Sequence, residues 1–504
     1  MVRLIVVAAL AALAGLPARA EVRFEPVAVP EHVYSGGWEH FVGGGLAVWD
    51  CDGDGLPEML AAGGAGGTHL FRNRSEPGRI AFEAGVPSAL EGVAGVTGAY
   101  PLDLDADGVR DLFVMRAGPN LALRGLPDCG FEPMDLPDGG AAWTTAFTAW
   151  WEPGADRPTL AVGNYVDRAD PEGPFGTCDA NAILRPDGAG WRAERLEPGF
   201  CALSMLAARD ARGRPTLRIS NDRHYYVKGG AEQMWDIGER RFLGTADGWD
   251  GPALWGMGIA SRDIDGDGAA EVMLTSMGDQ LLTLARDGRY QDAPYAMGAT
   301  ATTPHTGGDG RPSTGWHAEW GDVENDGDDD LFIVKGNVDQ MPGMAMDDPN
   351  NLLLRDGDGF REVAAEARVA SLHRGRGGAL ADLDGDGRLD IAVVNRRAPL
   401  EVWRNVSDAG HSVSVELRQD GPNAFALGAV IEVRIGDRTM IREVTVGGGH
   451  AGGRAGPEHF GIGDADGVEV RVTWPDGTAS GWTPLPAGFS GILQRDGTAL
   501  RPVP

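Results

Sequence analysis

A nine-residue acidic pattern that recurs five times is the strongest constraint on how this chain can fold. Its clearest copy reads Asp382-Leu383-Asp384-Gly385-Asp386-Gly387-Arg388-Leu389-Asp390. Carboxylates stand at positions 1, 3, 5 and 9, and the glycine at position 6 allows the sharp turn that points the carbonyl of position 7 inward. Calcium is a hard cation that takes about six to eight oxygen ligands, and alternate acidic side chains on a tight loop supply them. The ligand sets predicted in this way are Asp50, Asp52, Asp54, Leu56 and Glu58; Asp103, Asp105, Asp107, Val109 and Asp111; Asp263, Asp265, Asp267, Ala269 and Glu271; Asp322, Glu324, Asp326, Asp328 and Asp330; and Asp382, Asp384, Asp386, Arg388 and Asp390. Leu56, Val109, Ala269, Asp328 and Arg388 enter through their backbone carbonyls.

The helical calcium loop opens in the same way but needs a bidentate Glu at position 12. Position 12 here is Ala61, Val114, Leu274, Ile333 and Val393. The residues that follow each loop are apolar and often β-branched, as in Asp390-Ile391-Ala392-Val393-Val394, which reads as a strand. The pattern therefore predicts strand–loop–strand Ca²⁺ sites, about five of them. Acidic turns that bind nothing are the plainer alternative, since Asp and Gly favour turns on their own account.

The loops start at 50, 103, 263, 322 and 382. The interval from 103 to 263 is about three repeats long, so two loops are missing. Both survive in decayed form. Trp151 to Thr159 with Leu160-Ala161-Val162-Gly163-Asn164, and Ala208 to Thr216 with Leu217-Arg218-Ile219-Ser220-Asn221, align with the intact copies but have lost nearly all the ligands. No metal is expected in either.

After each loop strand comes a short apolar segment, such as Leu121-Ala122-Leu123-Arg124 or Val402-Trp403-Arg404, and then an aromatic that opens a fourth strand: Phe82, Phe131, Trp191, Phe242, Tyr290 and Phe360. The seventh unit runs out after Asn405. Arg23-Phe24-Glu25-Pro26-Val27 resembles Gly130-Phe131-Glu132-Pro133-Met134, so an N-terminal strand is available to complete it. Seven four-stranded units closed by a donated strand predict an all-β chain with a seven-bladed β-propeller over residues 21–408. Closure protects sheet edges that would otherwise template aggregation. An open β-solenoid would need no donated strand. Beyond a linker at 406–410, strands expected over 413–417, 430–435, 440–446 and 468–474 predict a small β-sandwich or barrel over 409–504.

Glycine is abundant, 77 of 504 residues, in keeping with many turns. The net charge of −30 argues against nucleic acid and anionic membranes as partners. Residues 1–20 read as an export signal: Arg3, an apolar run from Leu4 to Leu16, and a small-x-small site at Ala18-Arg19-Ala20. The alternative is a retained anchor, but the run is too short to span a bilayer stably. The expected location is secreted, periplasmic or cell-surface, where millimolar-class calcium sites can fill, and the expected state is a monomer.

The loops with their Leu-Phe-Arg-Asn follow-on (Leu70 to Asn73) resemble the FG-GAP/VCBS repeats of integrin-α-type propellers. That resemblance implies Ca²⁺ on one face of the ring, in loops between the first and second strands. The longer Glu58, Glu271 and Glu324 depart from its usual Asp. Gly428-Ala429-Val430-Ile431-Glu432-Val433, Gly447-Gly448-Gly449-His450, His459-Phe460-Gly461-Ile462-Gly463 and Val472-Thr473-Trp474-Pro475-Asp476-Gly477 together resemble the ASPIC/UnbV domain. The combination is similar to the cartilage acidic protein-like family, which implies an exported calcium-binding protein with roles in adhesion or matrix binding and no known reaction.

Four cysteines allow three pairings. In the propeller register Cys51 and Cys129 fall on the metal-loop face, and Cys178 and Cys201 on the opposite face. This predicts the disulfides Cys51–Cys129 and Cys178–Cys201; free buried thiols are the alternative. G-x-S-x-G, H-E-x-x-H and zinc-type Cys/His spacings do not occur, so no catalytic residue is assigned. Trp316-His317-Ala318-Glu319-Trp320 reads either as the lining of a binding funnel or, the preferred reading, as packing between sheets. His450 and His459 read as turn-stabilising residues before ligands or acid–base groups. The Met341, Met344 and Met346 segment is either an adaptable contact surface or packing against a neighbour. The expected function is a non-enzymatic scaffold that binds a protein or a glycan. The alternatives are an enzyme acting on polysaccharide or lipid from the metal-free face, and an assembly factor for secreted proteins.

Overall fold

A computed structural model describes residues 21–136, 140–170, 176–188, 190–222 and 230–503. The expected export signal over 1–20 lies outside the described residues. The described chain is built of strands with a few short 3-10 turns, and none of its helices is long and apolar enough to cross a membrane.

Residues 24–405 form seven four-stranded antiparallel sheets. Their first strands are Leu46–Trp49, Val96–Leu102, Thr144–Trp150, Ala202–Arg209, Gly256–Arg262, Gly315–Gly321 and Arg374–Ala381. Each packs beside the next, and the last returns to the first, so the sheets close a ring: a β-propeller. Val96–Leu102 and Thr144–Trp150 are buried along their whole length, so small and apolar residues predominate in the inner strands, with His317, Glu319 and Arg376 as polar residues among them. Six of them shift register near their start, between Val96 and Gly98 and between Gly375 and Gly378 for example. Such bulges bend a strand and increase its twist, as turning toward an axis requires.

The seventh sheet is closed as its sequence predicts. Phe24–Val27 pairs antiparallel with Glu401–Asn405, Phe24 opposite Asn405 and Val27 opposite Val402. Phe24 is fully buried in one core cluster with Trp403. The two ligand-poor units also form sheets, with second strands Thr159–Asn164 and Pro215–Asn221. The disulfides are Cys51–Cys129 and Cys178–Cys201.

Residues 411–503 form two further four-stranded sheets around one core that holds Trp474, Phe460, Val413 and Leu493. The arrangement is a sandwich. Sequence patterning missed Glu458–Gly463, Thr483–Pro486, Ser490–Asp496 and Ala499–Val503. It also carried one strand to residue 446, whereas that strand ends at Glu443. The chain leaves the sandwich there because residues 446–454 enter the ring.

Inside the ring this glycine-rich segment bridges to inner strands at Ala149 (Val446), Leu206 (Gly447), Ile259 (Gly449), Ala99 (Gly452) and Val48 (Arg454). Gly448 N–H donates to Met205 O at 2.7 Å and Gly449 N–H to Ile259 O at 2.8 Å. The Tyr100 hydroxyl donates to Gly448 O at 2.8 Å. At the metal-free mouth residues 36–44 lie across the axis. Arg376 Nε donates to Phe41 O at 2.9 Å, its guanidinium stacks 3.9 Å from the Trp316 ring centroid, and Arg396 donates to His40 O. The hub is thus filled from both ends by the chain itself.

Candidate metal-binding loops

Each acidic loop joins the first and second strands of its sheet, and all five make one hydrogen-bonded turn. The position 1 carboxylate caps two backbone N–H groups ahead of it: Gly53 and Gly55 for Asp50, Asp107 and Gly108 for Asp103, Gly266 and Gly268 for Asp263, Asp326 and Gly327 for Asp322, and Asp386 and Gly387 for Asp382. Position 5 accepts from the N–H of position 7, as Asp107 does from Val109 at 2.8 Å. Position 9 ties the loop to its sheet. Asp390 accepts from Leu383 N at 2.9 Å and from Asn405 N, on the third strand, at 2.8 Å. The same pair of bonds recurs at Glu58, Asp111, Glu271 and Asp330. Positions 4 and 6 have positive φ throughout, Gly385 at 70° and Gly387 at 85° in the clearest copy. That left-handed geometry favours glycine, which holds position 6 in all five loops, while Ala106 and Asn325 adopt it at position 4 of two of them.

The turn brings positions 1, 3 and 9 together. In Asp50/Asp52/Glu58, Asp103/Asp105/Asp111, Asp263/Asp265/Glu271 and Asp382/Asp384/Asp390, one carboxylate oxygen from each residue lies within 4.8 Å of the others. The position 5 residues Asp54, Asp107, Asp267 and Asp386 stand outside these triads. Crowding and burial act on the acids. Burial chiefly, with help from neighbouring carboxylates, pushes Glu58, Asp111 and Glu271 up to about 7. The same causes push Asp103, Asp263 and Asp382 to about 6.

The donors fit a calcium ion. All are hard oxygens, and two of the triad residues carry a buried oxygen whose hydrogen-bonding capacity is unused. Asp384 is wholly buried and its Oδ1 has no hydrogen-bond partner; Asp105 Oδ1 is in the same condition. A buried charged oxygen of this kind is costly unless something satisfies it.

The fifth loop folds alike, yet Asp322, Glu324, Asp326 and Asp330 make no such triad among the described residues. Glu324 is one methylene longer than the Asp at this position elsewhere. The sandwich also covers the loop. His459 Nε2 is bonded to Asn325 Oδ1 at 2.8 Å, Arg442 donates to Asp329 at 2.8 Å and Arg438 to Asp328 at 2.6 Å. A Cβ on Gly461 would meet Asp322 Oδ2 at 1.9 Å. Three other loops touch the sandwich as well: Arg110 pairs with Glu416 at 2.9 Å, Asp263 bridges to Ile441, and Ser412 Oγ donates to Gly387 O at 2.8 Å.

The remaining sequence candidates are structural. Trp316 and Trp320 are buried in two core clusters. His450 and His459 are buried, and burial pushes both down to about 3. They brace the contact between sandwich and ring, a role no local pattern in the sequence indicates. Met344 packs with Trp316 at the metal-free mouth and Met341 lies against it, while Met346 is more exposed.

Comparison with known proteins agrees with both halves. The FG-GAP-like repeat profile matches residues 50–114, and the ASPIC and UnbV profile matches residues 419–498. Cartilage acidic protein 1 of Homo sapiens and of Xenopus tropicalis are each 32% identical over 108 residues, 21% of this chain. The match spans 16% of the length of the human protein and 17% of the frog protein. Among solved structures, the BBS1N chain from a complex with ARL6DN aligns over 75% of this chain and 96% of its own, at 9% identity and a TM-score of 0.45. The Dos1 propeller aligns over 75% and 94%, at 11% identity and a TM-score of 0.40.

Proposed function

We propose that this chain, which joins an FG-GAP-like propeller to an ASPIC/UnbV sandwich, is an exported calcium-binding scaffold that holds a protein or glycan partner and catalyses no reaction. The observation that carries the calcium reading is Asp384: buried, in a triad with Asp382 and Asp390, with one oxygen unpaired. When bound, the ion would supply the positive charge that the crowded acids lack and would lock each first-to-second-strand loop. Asp50, Asp52 and Glu58, and the matching residues at 103–111, 263–271 and 382–390, would hold it.

Export is supported by the two disulfides, which persist in oxidising compartments. The scaffold reading is supported by the filled hub. The axis, where a ring of sheets would offer a reactive pocket, holds residues 446–454 and 36–44 instead. Binding would then use the outer faces and the sandwich.

Titration of Ca²⁺ into chelator-stripped protein should release heat with at least four binding events, and no heat would remove the calcium reading. Binding to a panel of matrix proteins and neutral glycans, with Ca²⁺ and with EGTA, tests the scaffold role. A partner retained only with Ca²⁺ supports it, and a panel with no binder in either condition counts against it.

A further inference from the structure

The geometry points to Arg124, Arg286 and Arg404 as positioning residues for the metal loops, each holding the position 3 carboxylate so that one oxygen faces the ion. The role rests on the calcium reading. Arg404, on the third strand of its sheet, donates through Nε to Asp384 Oδ2 at 2.9 Å. Gly78 N donates to that same oxygen at 3.0 Å. The other oxygen, Oδ1, is buried and has no hydrogen-bond partner. Arg124 repeats the arrangement: its Nε donates to Asp105 Oδ2 at 2.7 Å, and Asp105 Oδ1 is buried and unpaired. Arg286 Nη1 lies 2.8 Å from Asp265 Oδ2. At Asp384 and Asp105 the guanidinium thus fixes one oxygen and leaves the other buried and unpaired; at Asp265 the second oxygen accepts from Asp267 N at 3.3 Å, and Arg286 also reaches Glu271 at 3.5 Å, so the support there is looser.

Strand register explains which loops have this support. The residue that follows Arg124 or Arg404 gives its N–H to position 9 (Gly125 to Asp111, Asn405 to Asp390). In the 263–271 loop Ala285 gives that bond, so Leu284 holds the arginine's register; Arg286 is two residues on and therefore on the same face of the strand. In the 322–330 loop Arg355 itself gives the bond, one residue out of register and on the opposite face. It donates instead to Ile264 O of the preceding sheet, and that loop is the one without a triad. Arg72 is in register but donates to Asp128 O, which the Cys51–Cys129 bridge holds beside it.

Two effects oppose each other at these arginines. Their charge repels a cation, while the carboxylate they orient attracts it. Groups that orient metal ligands typically contribute about 10–100-fold in affinity. The arginine charge, moreover, is already paired with the carboxylate it holds. Orientation is therefore the larger effect, and the sign of the change on removing an arginine separates the two.

The experiment is calorimetric titration of Ca²⁺ into the stripped full chain, comparing wild type with Arg124→Met, Arg404→Met and Arg72→Met, each checked by melting in EGTA. The Arg124 side chain is 41% exposed and that of Arg404 22%, and the melting control separates a loss of fold from the loss of one site. Arg124→Met and Arg404→Met are each expected to weaken one site by about 10–100-fold and leave the others unchanged. Arg72→Met is expected to bind as wild type does. Unchanged or tighter binding by Arg124→Met and Arg404→Met overturns the positioning role while calcium binding by the wild type stands. A wild type that takes up no calcium overturns both.

Discussion

The backbone N–H of His450 donates to Nδ1 of His317 at 3.0 Å, which joins a loop of the sandwich to an inner strand of the ring. The His450 imidazole lies edge-on to Trp316, and its Nε2 accepts from Gly43 N at 3.2 Å. The glycine beside it has φ +57°, and a Cβ there would lie 2.4 Å from the His317 ring. Gly449→Ala should therefore cost about 2 kcal/mol or more, from left-handed strain and the clash together. Chemical denaturation checks the cost. Limited proteolysis at residues 406–410 should show the sandwich released before the ring melts.

Arg442 and Asp329 form a buried ion pair across the same contact, with side chains 3% and 9% exposed. Removing one partner of a buried pair typically costs about 3–5 kcal/mol when the other charge is left alone; here Asp329 keeps a longer contact to Arg262 at 3.6 Å, which places the cost at the low end, about 3 kcal/mol. Arg442→Met should lose about that much stability. Adding Asp329→Asn should restore part of it, which a double-mutant cycle in denaturant measures.

Acidity and calcium should act against each other. In the metal-free fold Glu58, Asp111 and Glu271 are pushed up to about 7, so they keep protons that the unfolded chain has already released. Stability then falls as pH rises through that value. His450 and His459, held down to about 3, have the opposite sign, but their contribution is complete above the ordinary histidine value of 6.5. The melting temperature in EGTA should therefore drop between about pH 6.5 and pH 8. In excess Ca²⁺ it should not. Calcium binding should release more protons at about pH 6 than at about pH 8.5, which calorimetry in buffers of different ionisation enthalpy resolves.

The Cys51–Cys129 bridge closes 78 residues and Cys178–Cys201 closes 23. Chain entropy gives the longer closure the larger effect, about 4.5 against about 3.4 kcal/mol. The longer bridge also sits in a metal loop, where Cys51 N donates to Glu58 at 3.0 Å. The double variant Cys51→Ala/Cys129→Ala should melt lower than Cys178→Ala/Cys201→Ala, and it alone should lose calcium affinity at the first loop.

Much of this was legible because the sequence repeats itself. The donated strand at Phe24, the decayed units and both disulfides follow from aligning copies, since residues equivalent in register are equivalent in space. The site was legible to the level of the loop: Asp382, Asp384 and Asp390 come together as their spacing predicts. The failures are contacts between distant segments. Arg355 looks like Arg404 in sequence but stands one residue out of register, and period 2 turns that into the opposite face. The glycines of residues 447–453 read as a turn. Their partners include Gly98 on an inner strand and Gly45 just before one, where a Cβ would meet Ala451 O at 1.6 and 1.8 Å. Close approach of two backbones is what glycine permits, and no local pattern says which two.

Of the two segments that fill the hub, residues 36–44 come before the inner strands and residues 446–454 are encoded after every sheet that surrounds them. As the chain is made, the ring can assemble while its hub is still open on the side of the metal loops and its acidic turns are still bare. A newly made molecule thus shows, for the time it takes to synthesise the last hundred or so residues, two surfaces that the finished one has put away.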